Sequence, residues 1–413
     1  MCSTGPTCSI TSNNPKRIDS HKVPMTSTLF RPSTKVLRIL CFLPPALAMV
    51  AVAVYGVDVL RWDEWMVWIN FLDRLDSGSV SISSFIAQQN EQRLLFARVL
   101  GYLHMVLFDL NRFPEFFTNL ALAGMAFAGL SLLYARTEAS LGRKPSVLVY
   151  LALSAFSFSL LQWDGFTQGI NNVLFVMALF LAWGLILLQG EKPHPLRYGL
   201  AMLIGVLASF NFANGLFYWF VLFPLIWTTK RSKRFKLLAS GMWLAVAAVV
   251  WALYFTDYVK PPHHPALTDA LFKPHMMVGY FLTYLGGPIS SDKATLWPLA
   301  TLIGALGLAS WSLCLISLYR SKRNALRILA PWLALAAFGV LSGMSTSLGR
   351  AALGLTQALE SRYVTSGGLL WISLIPVALT TWREDFTGLP GALKPLARPL
   401  PWAEETSAMA RLD

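Results

Sequence analysis

The chain has 413 residues, 55% of them hydrophobic and only 13% charged, where a typical soluble domain carries about 25% charge. That composition excludes a water-soluble multidomain enzyme and points to an all-α, polytopic transmembrane helix bundle of about ten spans. The formal net charge is +13, yet the cations stand in short clusters between apolar runs, so they read as topology signals and no nucleic acid is expected as a partner.

Residues 1–35 are rich in Ser, Thr, Pro and Asn, with Lys16, Arg17, Lys22 and Arg31. They read as a disordered cytoplasmic tail, in which Met25 offers a second start. The first apolar run, 37–57, is too long for the core of a simple signal peptide and more runs follow, so it is expected to stay as an uncleaved first helix. A polar-aromatic stretch, 58–112, comes next and is expected to be a first outer loop with interfacial helices. Further apolar runs fall near 114–134, 147–162, 172–189, 198–211, 215–229, 237–255, 295–319, 328–348 and 363–381. They are continuously apolar rather than alternating, which excludes a transmembrane barrel. The transmembrane domain thus covers 36–381, and 382–413 reads as a Pro/Ala-rich cytoplasmic tail. Cys2 and Cys8 lie in the polar tail and Cys41 and Cys314 in apolar runs, with no spacing that suggests a metal site or a disulfide framework.

Two segments, 93–110 and 275–290, are ambiguous, and charge decides them. The basic loops Lys230-Arg231-Ser232-Lys233-Arg234 and Arg320-Ser321-Lys322-Arg323 belong on the cytoplasmic side. Both fall there, with Arg136, Arg143, Lys144 and both termini, if neither ambiguous segment spans. The expectation is a multi-pass protein of the plasma (inner) membrane with four outer regions: 58–112, 163–171, 256–294 and 349–362. No Walker or dinucleotide-binding glycine loop occurs. Chemistry must use loops and helix ends at the outer face.

Six motifs are candidates. In Arg61-Trp62-Asp63-Glu64-Trp65, the helical spacing of Trp62, Trp65, Ile69 and Leu72 gives an apolar face for a helix lying in the membrane surface, with Asp63, Asn70 and Arg74 opposite. This is either an aromatic belt with solvated acids or a carboxylate held at the bilayer edge, where partial desolvation suits a general base. In Gln88-Gln89-Asn90-Glu91-Gln92-Arg93, followed by Arg98, the arginine forks match a phosphate; the alternative is an amphipathic surface helix. The loop Gln162-Trp163-Asp164-Gly165-Phe166-Thr167-Gln168-Gly169-Ile170-Asn171-Asn172 contains one acid, Asp164. Ser209-Phe210-Asn211-Phe212-Ala213-Asn214-Gly215 reads as a tight turn. Lys260-Pro261-Pro262-His263-His264-Pro265, with Lys273 and His275, reads as a rigid outer loop whose adjacent histidines do not make a metal pair. Glu360-Ser361-Arg362-Tyr363, preceded by Arg350, either anchors the last helix or coordinates phosphate.

The order of these motifs resembles the GT-C superfamily of membrane glycosyltransferases, which use polyprenyl-phosphate sugars and include oligosaccharyltransferases, protein O-mannosyltransferases and aminoarabinose transferases. Asp63-Glu64 sits where those enzymes carry their first-loop acids, and Asp164 where many carry a second acid. More locally, the chain resembles a group of uncharacterised bacterial polytopic proteins through Asp63-Glu64-Trp65, Asn90-Glu91-Gln92-Arg93, Trp163 to Gln168, and Ser361-Arg362-Tyr363. The resemblance covers about residues 36–381. It departs at Gln92, where the group carries His, so a proton-transfer role for that His is lost while hydrogen bonding is kept. Residues 382–413 are not expected to form the C-terminal soluble domain that some GT-C enzymes carry.

The resemblance implies transfer of a sugar from a polyprenyl-phosphate donor to an envelope glycan, lipid or protein acceptor on the extracytoplasmic face. Asp63 would be the general base, with Glu64 and Asp164 orienting the acceptor or a metal. Arg93, Arg98 and Arg362 would hold the phosphate, and Glu91, Gln168 and Tyr363 would complete substrate binding. Direct attack implies inversion. The acids are compatible with a divalent metal, but no ligand set specifies one. Two other classes stay open: a transporter or lipid flippase, and a non-catalytic partner in envelope polysaccharide assembly. The near charge-free spans argue against transport, which places ionisable groups at the bilayer midplane.

Overall fold

The computed structural model describes residues 34–261, 272–321 and 323–383. The expected tails before residue 34 and after 383, Met25 and the His263-His264 pair lie outside the described residues.

The chain enters through α1 (Thr34–Leu40) and α2 (Leu43–Tyr55). Pro44 and Pro45 lack N–H donors, so they fit the first turn of α2 and force the break at Cys41-Phe42. The stretch 58–112 is largely structured. It holds α3 (Asp63–Asp76), the short α4 (Ile82–Phe85), a two-stranded ladder of β1 (Gln88–Gln89) and β2 (Gln92–Arg93), and α5 (Leu95–Phe108). Asp63 and Glu64 open α3, where the helix dipole favours negative charge. In the ladder Gln89 pairs with Gln92, leaving Asn90-Glu91 as a two-residue tip. Asn90 takes φ 50° there, which Asn tolerates better than most residues. Helices α3 and α5 pack closely because α5 offers Gly101: a Cβ there would lie 2.0 Å from the Trp68 ring.

The remaining helices are α6 (Phe113–Ser140), α7 (Val147–Ser157), α8 (Trp163–Thr167), α9 (Asn172–Leu188), α10 (Pro195–Asn211), α11 (Tyr218–Thr228), α12 (Lys233–Phe255), α13 (Pro274–Gly286), α14 (Trp297–Ser321), α15 (Arg323–Arg350) and α16 (Val364–Arg383). Among the described residues, eight helical stretches are long and apolar enough to cross a membrane: 34–55, 113–140, 147–167, 169–188, 233–255, 294–320, 324–353 and 361–383. The other two apolar runs of the sequence are also helical but shorter. The 17 residues of α10 rise about 26 Å, short of a ~30 Å hydrocarbon core. The 11 residues of α11 rise only about 17 Å, and the 13 residues of α13, within the ambiguous 275–290 segment, about 20 Å.

The main core gathers α6, α7, α9, α10, α11, α12, α14, α15 and α16 around Leu181, Leu222, Trp243 and Trp332. Its buried indole N–H groups are partnered: Trp332 Nε1 donates to Thr137 Oγ1 at 3.0 Å, Trp243 Nε1 to the Trp219 carbonyl at 2.9 Å, and Trp219 Nε1 to Ser209 Oγ at 3.0 Å. Helices α13 and α14 meet through glycines. A Cβ on Gly286 would sit 1.8 Å from the Ala300 carbonyl oxygen, and one on Gly304 would sit 1.9 Å from that of Leu282. Small residues let backbones approach in this way where lipid gives no hydrophobic drive. Large apolar side chains such as Leu238, Met242, Val249 and Leu253 point outward from α12. So much exposed apolar surface is stable only against lipid, and the chain is a multi-pass membrane protein.

Candidate functional site

A cavity of about 570 Å³ opens where the 58–112 stretch meets the ends of α12, α15 and α16. Its lining combines apolar side chains, among them Val67, Leu94, Leu174, Phe212, Leu216, Phe217, Trp251 and Phe255, with Asp63, Glu91, Lys260, Arg350, Arg362 and Tyr363. A volume of this size suits a small ligand, and a lining that mixes apolar surface with three cations and two acids suits an amphiphile.

Asp63 is set at the cavity edge by an unusual helix start. Trp62, which precedes α3, has φ 51° and ψ −122°, costing a bulky residue on the order of 1–3 kcal/mol. The Asp63 carboxylate stays half-exposed, with Oδ2 3.7 Å from Arg362 Nη1. Arg362 also pairs with Glu360 through Nη2 and lies 5.6 Å above the Tyr363 ring. The short helical turns at 355–363 hold this arginine. Gln357 donates to Tyr363 Oη at 2.9 Å and to Glu360 Oε1 at 3.1 Å, and buried Tyr280 donates to Gln357 Oε1. Opposite, Glu91 at the hairpin tip accepts from Arg350 Nη2 at 2.8 Å. The hairpin is itself pinned. Gln88 and Val259 exchange two hydrogen bonds, 2.6 and 2.9 Å, and Tyr254 Oη donates to the Glu91 carbonyl at 2.7 Å.

Of the residues expected from the sequence, the cavity brings together Asp63, Glu91, Arg362 and Tyr363. Glu64 is not available to a substrate. It is 1% exposed, Oε2 accepts from the Arg61 N–H at 3.0 Å, and Oε1 accepts from Arg112 Nη2 and from the Gly169 N–H at 2.8 Å. The expected acceptor-orienting role is therefore corrected to an anchoring one. Arg93 and Arg98 need the same correction, because backbone carbonyls occupy their forks. Arg93 donates to Tyr254, Thr256 and Ile86, and Arg98 to Phe85 and Ala87. Burial and the neighbouring Arg74 and Arg93 pull the Arg98 guanidinium down to about 10, which leaves it cationic at neutral pH. Of the three arginines expected to converge, only Arg362 lines the cavity, together with Arg350 and Lys260.

Asp164 and Gln168 stand beside the cavity rather than in its wall. Gln168 Nε2 donates to Asp164 Oδ1 at 2.7 Å, and the Asp164 N–H donates to Ser361 Oγ at 3.2 Å. They brace the loop that presents Asn171 to the cavity. The acids do not fit a divalent metal. Glu64 is taken by Arg112 and Asp164 by Gln168, Asp63 faces a guanidinium, and no group of three or more His, Cys, Asp or Glu side chains stands together among the described residues.

Several site residues escaped the sequence reading. Arg112 and Glu115, at the mouth of an apolar run, form a buried pair at 2.6 Å; their i,i+3 spacing around Pro114 was the available signal. The Asn211–Asn214 turn was read as a turn only, yet Phe212, Ala213 and Asn214 line the cavity. Comparison with protein-family models, curated proteins and solved structures finds no match to this chain.

Proposed function

We propose that this chain is a GT-C-like membrane glycosyltransferase that takes a sugar from a polyprenyl-phosphate donor. The observation that carries the reading is the cavity whose lining joins a half-exposed carboxylate, Asp63, to Arg350, Arg362 and apolar side chains. A lipid-linked sugar phosphate has these three parts: a long apolar chain, an anion and a hydroxylated ring. The apolar side chains suit the first isoprenoid units and the guanidinium forks suit the phosphate. In this reading ten apolar helices make up the spans in the plasma (inner) membrane, α10 and α11 as a short pair that meets the floor of the cavity within the bilayer, both termini are cytoplasmic and the cavity faces outward. Nucleotide sugars are cytoplasmic, so an outward site calls for a lipid carrier.

The step balances simply. Asp63 takes the proton of an acceptor hydroxyl as the new O–C1 bond forms. The C1–O bond to phosphate breaks, and the polyprenyl phosphate leaves with the electron pair, its growing charge met by Arg350 and Arg362. Attack from the face opposite the phosphate inverts the anomeric centre. The acceptor is an envelope glycan, lipid or protein.

Purified protein, a polyprenyl-phosphate sugar and a membrane extract as acceptor source form the assay. Asp63→Asn keeps the shape and removes the basic oxygen, so turnover should fall by about 10²–10⁴-fold with donor binding retained. Undiminished turnover in that variant would end the assignment of Asp63. No transfer by the wild type from any donor would favour transport or a non-catalytic role in polysaccharide assembly.

A further inference from the structure

We infer that Arg112 is a positioning residue for Asp63, acting through the buried carboxylate of Glu64; this rests on the glycosyltransferase reading above. Arg112 is 5% exposed and lies outside the cavity wall, so it touches no substrate. Instead it collects three elements. Its N–H donates to Asp58 Oδ1 at 2.8 Å, before α3 begins. Nη2 pairs with Glu64 in the first turn of α3, and Nη1 donates to Glu115 Oε1 in α6 at 2.6 Å. Glu64 extends the anchor by accepting from the Gly169 N–H, which ties in the loop carrying Asn171. No room is left for drift: a Cβ on Gly169 would fall 1.4 Å from Glu115 Oε2 and 2.8 Å from Arg112 Nη2.

The helix geometry turns this anchor into a positioning device. Successive residues on an α-helix point about 100° apart. With Glu64 locked inward against Arg112, Asp63 is turned to the cavity edge, where Arg362 meets it. Two carboxylates share one guanidinium here, and the planar fork reaches both at once. An ammonium cannot do so in the same geometry. Rotation of α3 about its axis would move Asp63 out of reach of an acceptor hydroxyl, while Arg362 keeps Glu360 and Arg350 keeps Glu91 as partners.

The test is a double-variant cycle in the transfer assay, with Arg112→Lys, Asp63→Asn and the two combined. Arg112→Lys should lower kcat by about 10²-fold, the usual cost of a misplacement near 1 Å, with the KM for the donor unchanged. The combined variant should be no slower than Asp63→Asn alone, because Arg112 acts through a group already lost. Losses that multiply, or full kcat in Arg112→Lys, would overturn the inference. If Arg112→Lys does not fold, Glu64→Gln and its combination with Asp63→Asn run the same cycle, since the amide removes the acceptor facing the Arg61 N–H. Amide hydrogen exchange supplies a readout free of activity. The Arg61 and Gly169 N–H groups should exchange faster in Arg112→Lys, and unchanged protection would overturn the anchor. Wild-type protein that transfers no sugar would refute the glycosyltransferase reading, while the exchange result would still decide whether Arg112 holds α3.

Discussion

Two arginines of this chain look alike in sequence and behave oppositely in the fold. Arg93 is 8% exposed and spends its fork on three backbone carbonyls. Arg93→Met should therefore strand buried acceptors and lower stability by on the order of 3 kcal/mol or more, read as a drop in thermal midpoint in detergent. Arg362 lines the cavity with a partly exposed side chain. Arg362→Met should leave the midpoint nearly unchanged and weaken binding of a polyprenyl-phosphate sugar by about 1–3 kcal/mol, the range for charge-assisted hydrogen bonds. If Arg93→Met loses donor affinity without losing stability, the two assignments are reversed. The sequence could mark both residues as guanidiniums beside apolar runs. It could not show that the carbonyls of Tyr254 and Thr256, at the end of α12, would face Arg93, since those contacts join residues more than 160 positions apart. Asp63 and Arg362 were legible for a different reason: each opens a helix next to an apolar run, so its depth follows from the run itself.

At the scale of elements, α3 changes character along its exposed face. Trp65, Met66 and Ile69 are exposed in its first half, and Trp62 is 78% exposed just before it, whereas Asp73 and Asp76 follow on the same side. The apolar stripe read from spacing included Leu72, which is half-buried. The opposite face packs Val67, Trp68 and Phe71 inward. Such a helix should lie with its first half in the interface and its end in water. In a background without the native cysteines, a spin label at Ile69→Cys should relax with oxygen, and one at Asp76→Cys with an aqueous nickel chelate. Equal aqueous exposure at both sites would remove the interfacial placement. The seat of α3 depends on Gly101, because the Trp68 ring occupies the space of its Cβ. Gly101→Leu should overpack this contact at a cost of about 1–3 kcal/mol and lower turnover more than Asp76→Cys does. A hydropathy reading misses this pairing: it sees apolar content in 93–110, while the α3–α5 fit depends on one absent side chain.

For the whole molecule, the parity of crossings carries the topology. Ser79 and Lys233, both exposed, are separated by three long apolar helical stretches, 113–140, 147–167 and 169–188. The pair α10 and α11 adds either two crossings or none, so it cannot change which side Lys233 takes. Helix α5 can: its 14 residues rise about 21 Å, well short of the hydrocarbon core. A membrane-impermeant maleimide should therefore label Ser79→Cys from outside and Lys233→Cys only after the inner face is opened. Labelling of both from one side would mean that α5 crosses, and the positive-inside assignment would fail with it. A third site locates the cavity. Asn214 sits in the turn between α10 and α11 and lines the cavity wall, while the helices that carry it are too short to bring it to the far edge of the bilayer. Asn214→Cys should label from the Ser79 side but more slowly than Ser79→Cys, because the reagent must descend through the cavity. A polyprenyl phosphate should slow it further and leave Ser79→Cys unaffected. Reaction of Asn214→Cys from the Lys233 side would place the cavity on the cytoplasmic face, where nucleotide sugars are at hand and a lipid-linked donor is no longer required.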